Sequence, residues 1–153
     1  MDSRKIIELV KQLREETGAG VMECKKALER SGGDLAKAKK EIEKMGFAKA
    51  AKKANRETSQ GYVATYTHSN GKTGVIVEIL SESDFVAKNE QFRLFTKNLC
   101  LQITAMNPKN IDELLSQEYI REPEKTIGDL VKETIAKFGE NIKIGRFERY
   151  EIS

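Results

Sequence analysis

The 153 residues, 39% of them apolar, suffice for one sizeable core or for a core with a small satellite module, which excludes a large multidomain enzyme. No window approaches the roughly 18 uninterrupted apolar residues of a membrane span, and Met1 to Lys11 lack the apolar run and cleavage site of a signal peptide, so a cytoplasmic chain with no membrane partner is expected. Charge is uneven: residues 1–56 carry 15 Lys and Arg against 9 Asp and Glu, whereas residues 57–153 carry 12 against 15, a bias that suits nucleic acid or an acidic protein surface but equally keeps small helices solvated.

In chain order, Ile6, Leu9, Val10 and Leu13 share one face at helical spacing behind a cap at Asp2 or Ser3, predicting a helix that breaks at Thr17-Gly18-Ala19-Gly20. A second helix is predicted from Val21 to Arg30, with Met22, Ala27 and Leu28 facing inward and Gly32-Gly33 ending it. Asp34 then caps a third, whose buried stripe is Leu35, Ala38, Ile42 and Met45. Helices of about 10 residues are marginal in isolation, so the three should pack as a miniature bundle with a thin core over residues 1–46. Residues 47–60, FAKAAKKANRETSQ, carry one apolar anchor at Phe47 and read as an Ala/Lys-rich linker with scope for partial helix.

Beyond it, Tyr62 to Thr67 and Gly74 to Leu80 flank Asn70-Gly71, whose residues tolerate the positive φ of a tight turn, and so predict a β-hairpin. The second of these strands is almost continuously apolar, as a central strand covered by helices would be. Asn89 should cap a long helix with Phe92, Phe95, Leu99, Ile103 and Met106 on one face, ended by Asn107-Pro108. Glu113 to Gln117 and Tyr119-Ile120 are short and ambiguous. Thr126 to Asp129 resembles a capping box that opens a helix through Ile127, Leu130, Val131, Ile135 and Phe138, stopped by Gly139. Asn141 to Ile152 should be a strand, with a bulge or bend near Gly145 because Phe147 falls on the opposite parity from Ile142 and Ile144. The predicted fold class is α+β: a helical bundle, then a small antiparallel three-stranded sheet packed with helices over residues 61–153.

Signatures of enzymatic chemistry are missing. There is no GxxxxGK[ST] phosphate loop, no HExxH and no GxSxG, and the sole histidine, His68, adjoins the hairpin turn. Gly18 and Gly20 follow a helix rather than a strand, which suits a helix-to-helix turn and not a nucleotide cradle. Cys24 and Cys100 lie on separate predicted helices without CxxC spacing and read as buried free thiols. No catalytic residue, metal site or cofactor is expected.

Two segments stay open on physical grounds alone. Val21 and Met22 follow a flexible turn at the tip of the bundle, where they serve either the core or an exposed apolar contact. Ser83-Asp84-Phe85-Val86 joins a buried strand to a long helix, where Asp84 can start a helical turn and Phe85 can be core, or both can form an edge.

Leu13 to Leu28, LREETGAGVMECKKAL, resembles the amino-terminal signature of the elongation factor Ts family, and Glu78 to Lys88, EILSESDFVAK, resembles its second signature. Ala50-Ala51-Lys52-Lys53-Ala54, Gly139-Glu140-Asn141-Ile142 and Arg146-Phe147 also match, so the resemblance spans nearly the whole chain. Ser83 stands where the family usually has Thr, which keeps the hydroxyl. The chain also looks too short between Pro108 and Ile127 for the helical extension and second core repeat of longer members.

The resemblance implies a nucleotide-exchange factor that binds elongation factor Tu. Its amino-terminal bundle would be similar to a ubiquitin-associated (UBA-like) fold and dock on the GTPase through Arg14, Val21 and Met22. The edge formed by Ser83, Asp84, Phe85 and Val86 would disturb the switch and magnesium region, so that GDP leaves and GTP rebinds. No direct nucleic-acid contact is implied, and self-association through an uncovered sheet or helix face is left open. The rival reading is a nucleic-acid module built on the basic bundle and Lys49, Lys52, Lys53 and Arg56, with Tyr62 and Tyr66 as stacking residues.

Overall fold

In the computed structural model, which describes residues 2–153, three helices open the chain: α1 (Ser3–Thr17), α2 (Val21–Arg30) and α3 (Leu35–Lys53). Local chemistry sets their limits. The Asp2 carboxylate accepts from the Arg4 amide, Gly18 takes the left-handed conformation at φ +73° to end α1, and the Asp34 carboxylate accepts from the Lys37 amide to start α3. Val10, Leu13, Cys24, Ala27, Leu28, Ala38 and Ile42 make the small core between them. Met22, expected inside, is 59% exposed instead, and Cys24 takes the inward position two residues on. An α-helix turns by about 100° per residue, so residues two apart point to opposite sides and cannot both enter this thin core.

α3 does not stop where the large apolar residues do. It continues through the stretch read as linker as far as Lys53, with Ala50 buried in the second, larger core. Ala and Lys are strong helix formers, and Gly46 lets α3 approach a later helix, α7 (Ile127–Phe138), closely: a Cβ on Gly46 would lie 3.1 Å from that of Ala136. The non-helical connection is thereby reduced to 54–59.

The sheet has the order β1-β2-β5, antiparallel throughout, from β1 (Gln60–Thr67), β2 (Thr73–Ser81) and β5 (Ile142–Glu151). The apolar run of β2 is explained by its central place: Val75, Val77 and Ile79 face the helices and are buried, while Ile76 and Glu78 face away. The expected irregularity in β5 lies where Val77 pairs with Phe147 but Ile79 pairs with Ile144, so Gly145 and Arg146 together oppose Glu78. The Glu78 carboxylate accepts from the Arg146 amide at 3.2 Å and from its guanidinium at 3.1 Å. A side chain on Gly145 would collide with that carboxylate.

Three helices and a small hairpin complete the core around α7. The single turn α4 (Asp84–Lys88) leads into α5 (Glu90–Met106), capped by the Asn89 side chain and closed by Asn107 at φ +45°. Phe92, Phe95, Leu99 and Ile103 of α5 are buried on the sheet, whereas Met106 at its end is exposed. α6 (Ile111–Ser116) is followed by the two-stranded pair β3 (Glu118–Tyr119) and β4 (Glu122–Thr126) in the region that looked ambiguous. Buried Gln102 holds it, its amide donating to the Glu118 carbonyl and accepting from the Ile120 amide, both at 3.0 Å. The capping box at Thr126 and Asp129 and the left-handed Gly139 bound α7 as expected. The architecture is α+β, with a helical amino-terminal part and a three-stranded antiparallel sheet packed with helices.

Candidate functional site

The strand-to-helix junction after β2 is built from the inside outward. Ser81 ends the strand fully buried, and its hydroxyl donates to the Ser83 carbonyl at 2.9 Å. Ser83 is extended and caps α4, its hydroxyl oxygen accepting from the Val86 amide at 3.4 Å. Val86 and Ala87 then point into the core, with Val86 8% exposed. Because these two residues take the inward arc of a one-turn helix, Asp84 and Phe85 must take the outward arc. Phe85 is 84% exposed and Asp84 makes only a 3.4 Å pair with Lys88, one turn on. Of the four candidate residues, therefore, Asp84 and Phe85 face solvent, Ser83 shapes the turn, and Val86 anchors it.

A phenylalanine this exposed forgoes about 1.5–3 kcal/mol of burial, on a turn that otherwise fits the core closely. The junction is fastened from a distant part of the chain. The Glu140 carboxylate, in the turn between α7 and β5, accepts from the Ser83 amide at 3.0 Å and from its hydroxyl at 2.5 Å. Reading the sequence missed this residue as a site component; its only signal was the Gly139-Glu140-Asn141 match, which carries no hint of a contact 57 positions away.

The bundle candidates lie at the α1–α2 turn. Val21 is 48% exposed and Met22 59%, side by side at the start of α2, and the nearby Arg14 side chain, also exposed, donates to the Ala19 carbonyl at 3.4 Å. One residue further, Glu23 pairs with Lys49 of α3, and this hydrogen bond holds its carboxyl below the usual range against the opposing pull of burial. That pair fixes the start of α2 on the long helix. The bundle and the larger core thus sit on one framework, since α3 packs along α7 and the Phe47 ring lies under the Lys132 ammonium at 5.5 Å. Between bundle and core runs an open cleft of about 780 Å³, with Arg14, Met45, Phe47, Leu94 and Phe138 among its walls. Lys125 spans one side of it. Burial pulls its ammonium down, but hydrogen bonds to Glu133 and Glu122, both at 2.9 Å, outweigh this and push it up to about 12.

Other chemistry-bearing groups are committed elsewhere. Cys24 and Cys100 are free and buried, and burial pushes the Cys100 thiol up to about 11, far from a reactive thiolate. His68 is exposed at the hairpin, its Nδ1 3.3 Å from the Tyr66 hydroxyl. Tyr62, a stacking candidate in the nucleic-acid reading, has one face covered by the Arg93 guanidinium at 4.2 Å. Among the described residues no group of three or more His, Cys, Asp and Glu is placed to hold a metal, and no helix is long and apolar enough to cross a membrane.

Comparison with known proteins brings these features together. A family model described as elongation factor TS matches residues 82–153, which include Ser83 to Val86 and the Glu140 turn. Elongation factor Ts of Leptospira biflexa serovar Patoc is 43% identical over an alignment of 190 positions covering 95% of this chain and 96% of that protein. The elongation factor Ts proteins of Thermoanaerobacter sp. and Oleidesulfovibrio alaskensis are each 42% identical, covering 94% of this chain and 93% and 96% of their own lengths. An alignment of 190 positions exceeds the 153 residues present here, so the Leptospira protein carries residues that this chain lacks.

Proposed function

The chain belongs to the elongation factor Ts family, and we propose that it serves translation elongation in the cytoplasm as the nucleotide-exchange factor of elongation factor Tu, acting by contact and not by covalent catalysis. The observation that carries this reading is the exposure of Phe85, at 84%, beside Asp84 on a turn whose next two residues are buried. A residue so held can enter a partner without the turn unfolding.

In this reading the bundle, residues 1–46 by sequence, docks on the nucleotide-binding domain of the GTPase through Arg14, Val21 and Met22. The Asp84-Phe85 edge then presses into the switch and magnesium region. Switch segments are ordered by phosphate and magnesium contacts, so an edge that favours another arrangement weakens the hold on GDP. By linkage, factor and GDP weaken each other's binding by the same factor, and the complex is tightest with the empty GTPase. GTP then rebinds and displaces the factor. Release of fluorescent GDP from the cognate elongation factor Tu, with and without this protein, tests the proposal; an unchanged rate overturns it.

A second copy of the chain is a further partner in this proposal. Val63, Ile76 and Tyr150 are exposed on the side of the sheet away from the helices, a face that another sheet could cover. Nucleic acid is not a partner in this reading; of the rival's two stacking candidates, Tyr62 has one face covered by Arg93. RNA binding that falls steeply with salt, with no effect on GDP release, would favour the rival instead.

A further inference from the structure

The exchange edge is held by a residue that does not belong to it. We propose that Glu140 is the positioning residue of the edge, locking the Ser83 backbone and hydroxyl so that Asp84 and Phe85 stay projected; this rests on the exchange reading of the edge given above. Three observations converge on the turn that carries it. Glu140 accepts two hydrogen bonds from one residue, from the Ser83 amide at 3.0 Å and hydroxyl at 2.5 Å, and both go to the N-cap of α4. The next residue, Asn141, is 1% exposed and donates to the carbonyls of Ala54 at 3.3 Å and Arg56 at 2.8 Å, so the turn is anchored on the chain that links α3 to β1. Arg56 in turn lies 3.7 Å from Glu82, the residue before Ser83.

The carboxylate thus sits between two fixed points. On one side is a buried asparagine, on the other the first turn of a helix too short to hold itself. A five-residue helix has too few internal bonds to resist fraying, and an ionised acceptor at its cap binds more strongly than a neutral one. Losing Glu140 leaves Val86 and Ala87 in the core but frees the cap, and Phe85 then samples orientations that a partner must restore at its own cost. The bundle docking surface is untouched.

The experiment compares the full-length protein with Glu140→Ala, Glu140→Gln, Phe85→Ala and the double variant Glu140→Ala with Phe85→Ala, using fluorescent GDP on the cognate GTPase and amide hydrogen exchange on the free factor. Glu140→Ala should speed exchange of the Ser83 amide about tenfold or more, the loss expected for charge-assisted hydrogen bonds, while the Val77 and Ile79 amides of the central strand stay as they were. At saturating factor the maximal rate of GDP release should fall about tenfold, with the half-saturating concentration within about twofold because docking is intact. Glu140→Gln keeps an oxygen for the Ser83 amide but loses the charge, and should recover part of the rate. The double variant should match Phe85→Ala alone, since the clamp has nothing left to position. An unchanged Ser83 amide, additive losses in the double variant, or an active Glu140→Ala beside an impaired Phe85→Ala would each overturn this inference while leaving the exchange reading standing. Full activity of Phe85→Ala would remove both.

Discussion

Phe85 and Phe92 lie seven positions apart and illustrate how one residue type serves two purposes. Phe92 is fully buried, in a T-shaped pair with Phe138 at 6.1 Å between ring centroids, and its truncation to Ala should cost about 3–5 kcal/mol of stability. Phe85 touches little of the protein, so Phe85→Ala should change stability by less than about 0.5 kcal/mol while slowing stimulated GDP release markedly. Chemical denaturation beside the release assay separates the two quantities, and a large loss of stability would return Phe85 to the core. Asp84→Asn removes a charge whose visible partner is exposed Lys88, an i,i+4 pair that contributes about 0.3–0.5 kcal/mol at most. Its melting should therefore be nearly wild type, with a lower exchange rate if the carboxylate acts on the partner's magnesium environment. The two substitutions should be non-additive, because losing either side chain of one edge lets the other withdraw.

Among the elements, the β5 bulge makes a prediction with two readouts. A methyl group on Gly145 must displace the Glu78 carboxylate from the Arg146 amide and guanidinium, but that carboxylate is the far end of a flexible side chain, so Gly145→Ala should break the pair with only a small loss of stability, read by chemical denaturation. Those bonds from Arg146, chiefly to its side chain, hold the Glu78 carboxyl below the usual range. A carboxylate depressed in the folded state contributes stability above its unfolded pKa of about 4.3 and loses it as pH falls through the lower folded value. Glu78→Gln should accordingly flatten the loss of stability on the acid side, and an unaltered pH profile would show the pair to be inert.

The bulge was legible because a parity switch between Ile144 and Phe147 leaves a mark in the sequence. The helix caps at Asp34, Asn89, Thr126 and Gly139 were legible for the same reason: each is decided by a few neighbouring residues. The continuation of α3 was legible only as scope for partial helix, since Gly46, which meets Ala136 of α7, and the buried Ala50 are small residues that break no polar pattern. The β3–β4 pair was not legible, since it depends on the distant Gln102 side chain. At the candidate site, helical periodicity placed Met22 inward and left Phe85 undecided; resemblance pointed outward for both, and both are exposed. The altered end of α3 also changes where a protease should act. Trypsin should cut after Arg56 in the non-helical 54–59 segment before it cuts after Lys49, which lies within the helix and is paired with Glu23.

For the whole molecule, the sheet presents two unlike faces. Its inner face is closed by α5, whereas Val63 at 55% exposure, Ile76 at 45% and Tyr150 at 73% remain open on the outer one. They share that face by register: Val63 stands opposite Glu78, and the β2 residues Gly74 and Ile76 stand opposite Tyr150 and Glu148 of β5. The Glu78–Arg146 pair is part of the same surface, which makes the face amphipathic and not a bare apolar sheet. A second copy could cover it through a twofold contact that brings the same residues from both chains together. Stable interfaces bury about 800 Å² per partner, and three exposed apolar side chains fall short of that, so association should be weak, with dissociation in roughly the micromolar range. Sedimentation equilibrium across that range should show the mass rising from 17.3 kDa toward twice that value. Tyr150→Glu should return it to the monomer by placing like charges across the twofold axis, without unfolding a side chain that is mostly in solvent already. A constant 17.3 kDa at every concentration would remove the dimer. GDP release by Tyr150→Glu then shows whether the dimer matters to exchange: an unchanged rate would make the single copy, with its own bundle and its own Phe85, the working unit.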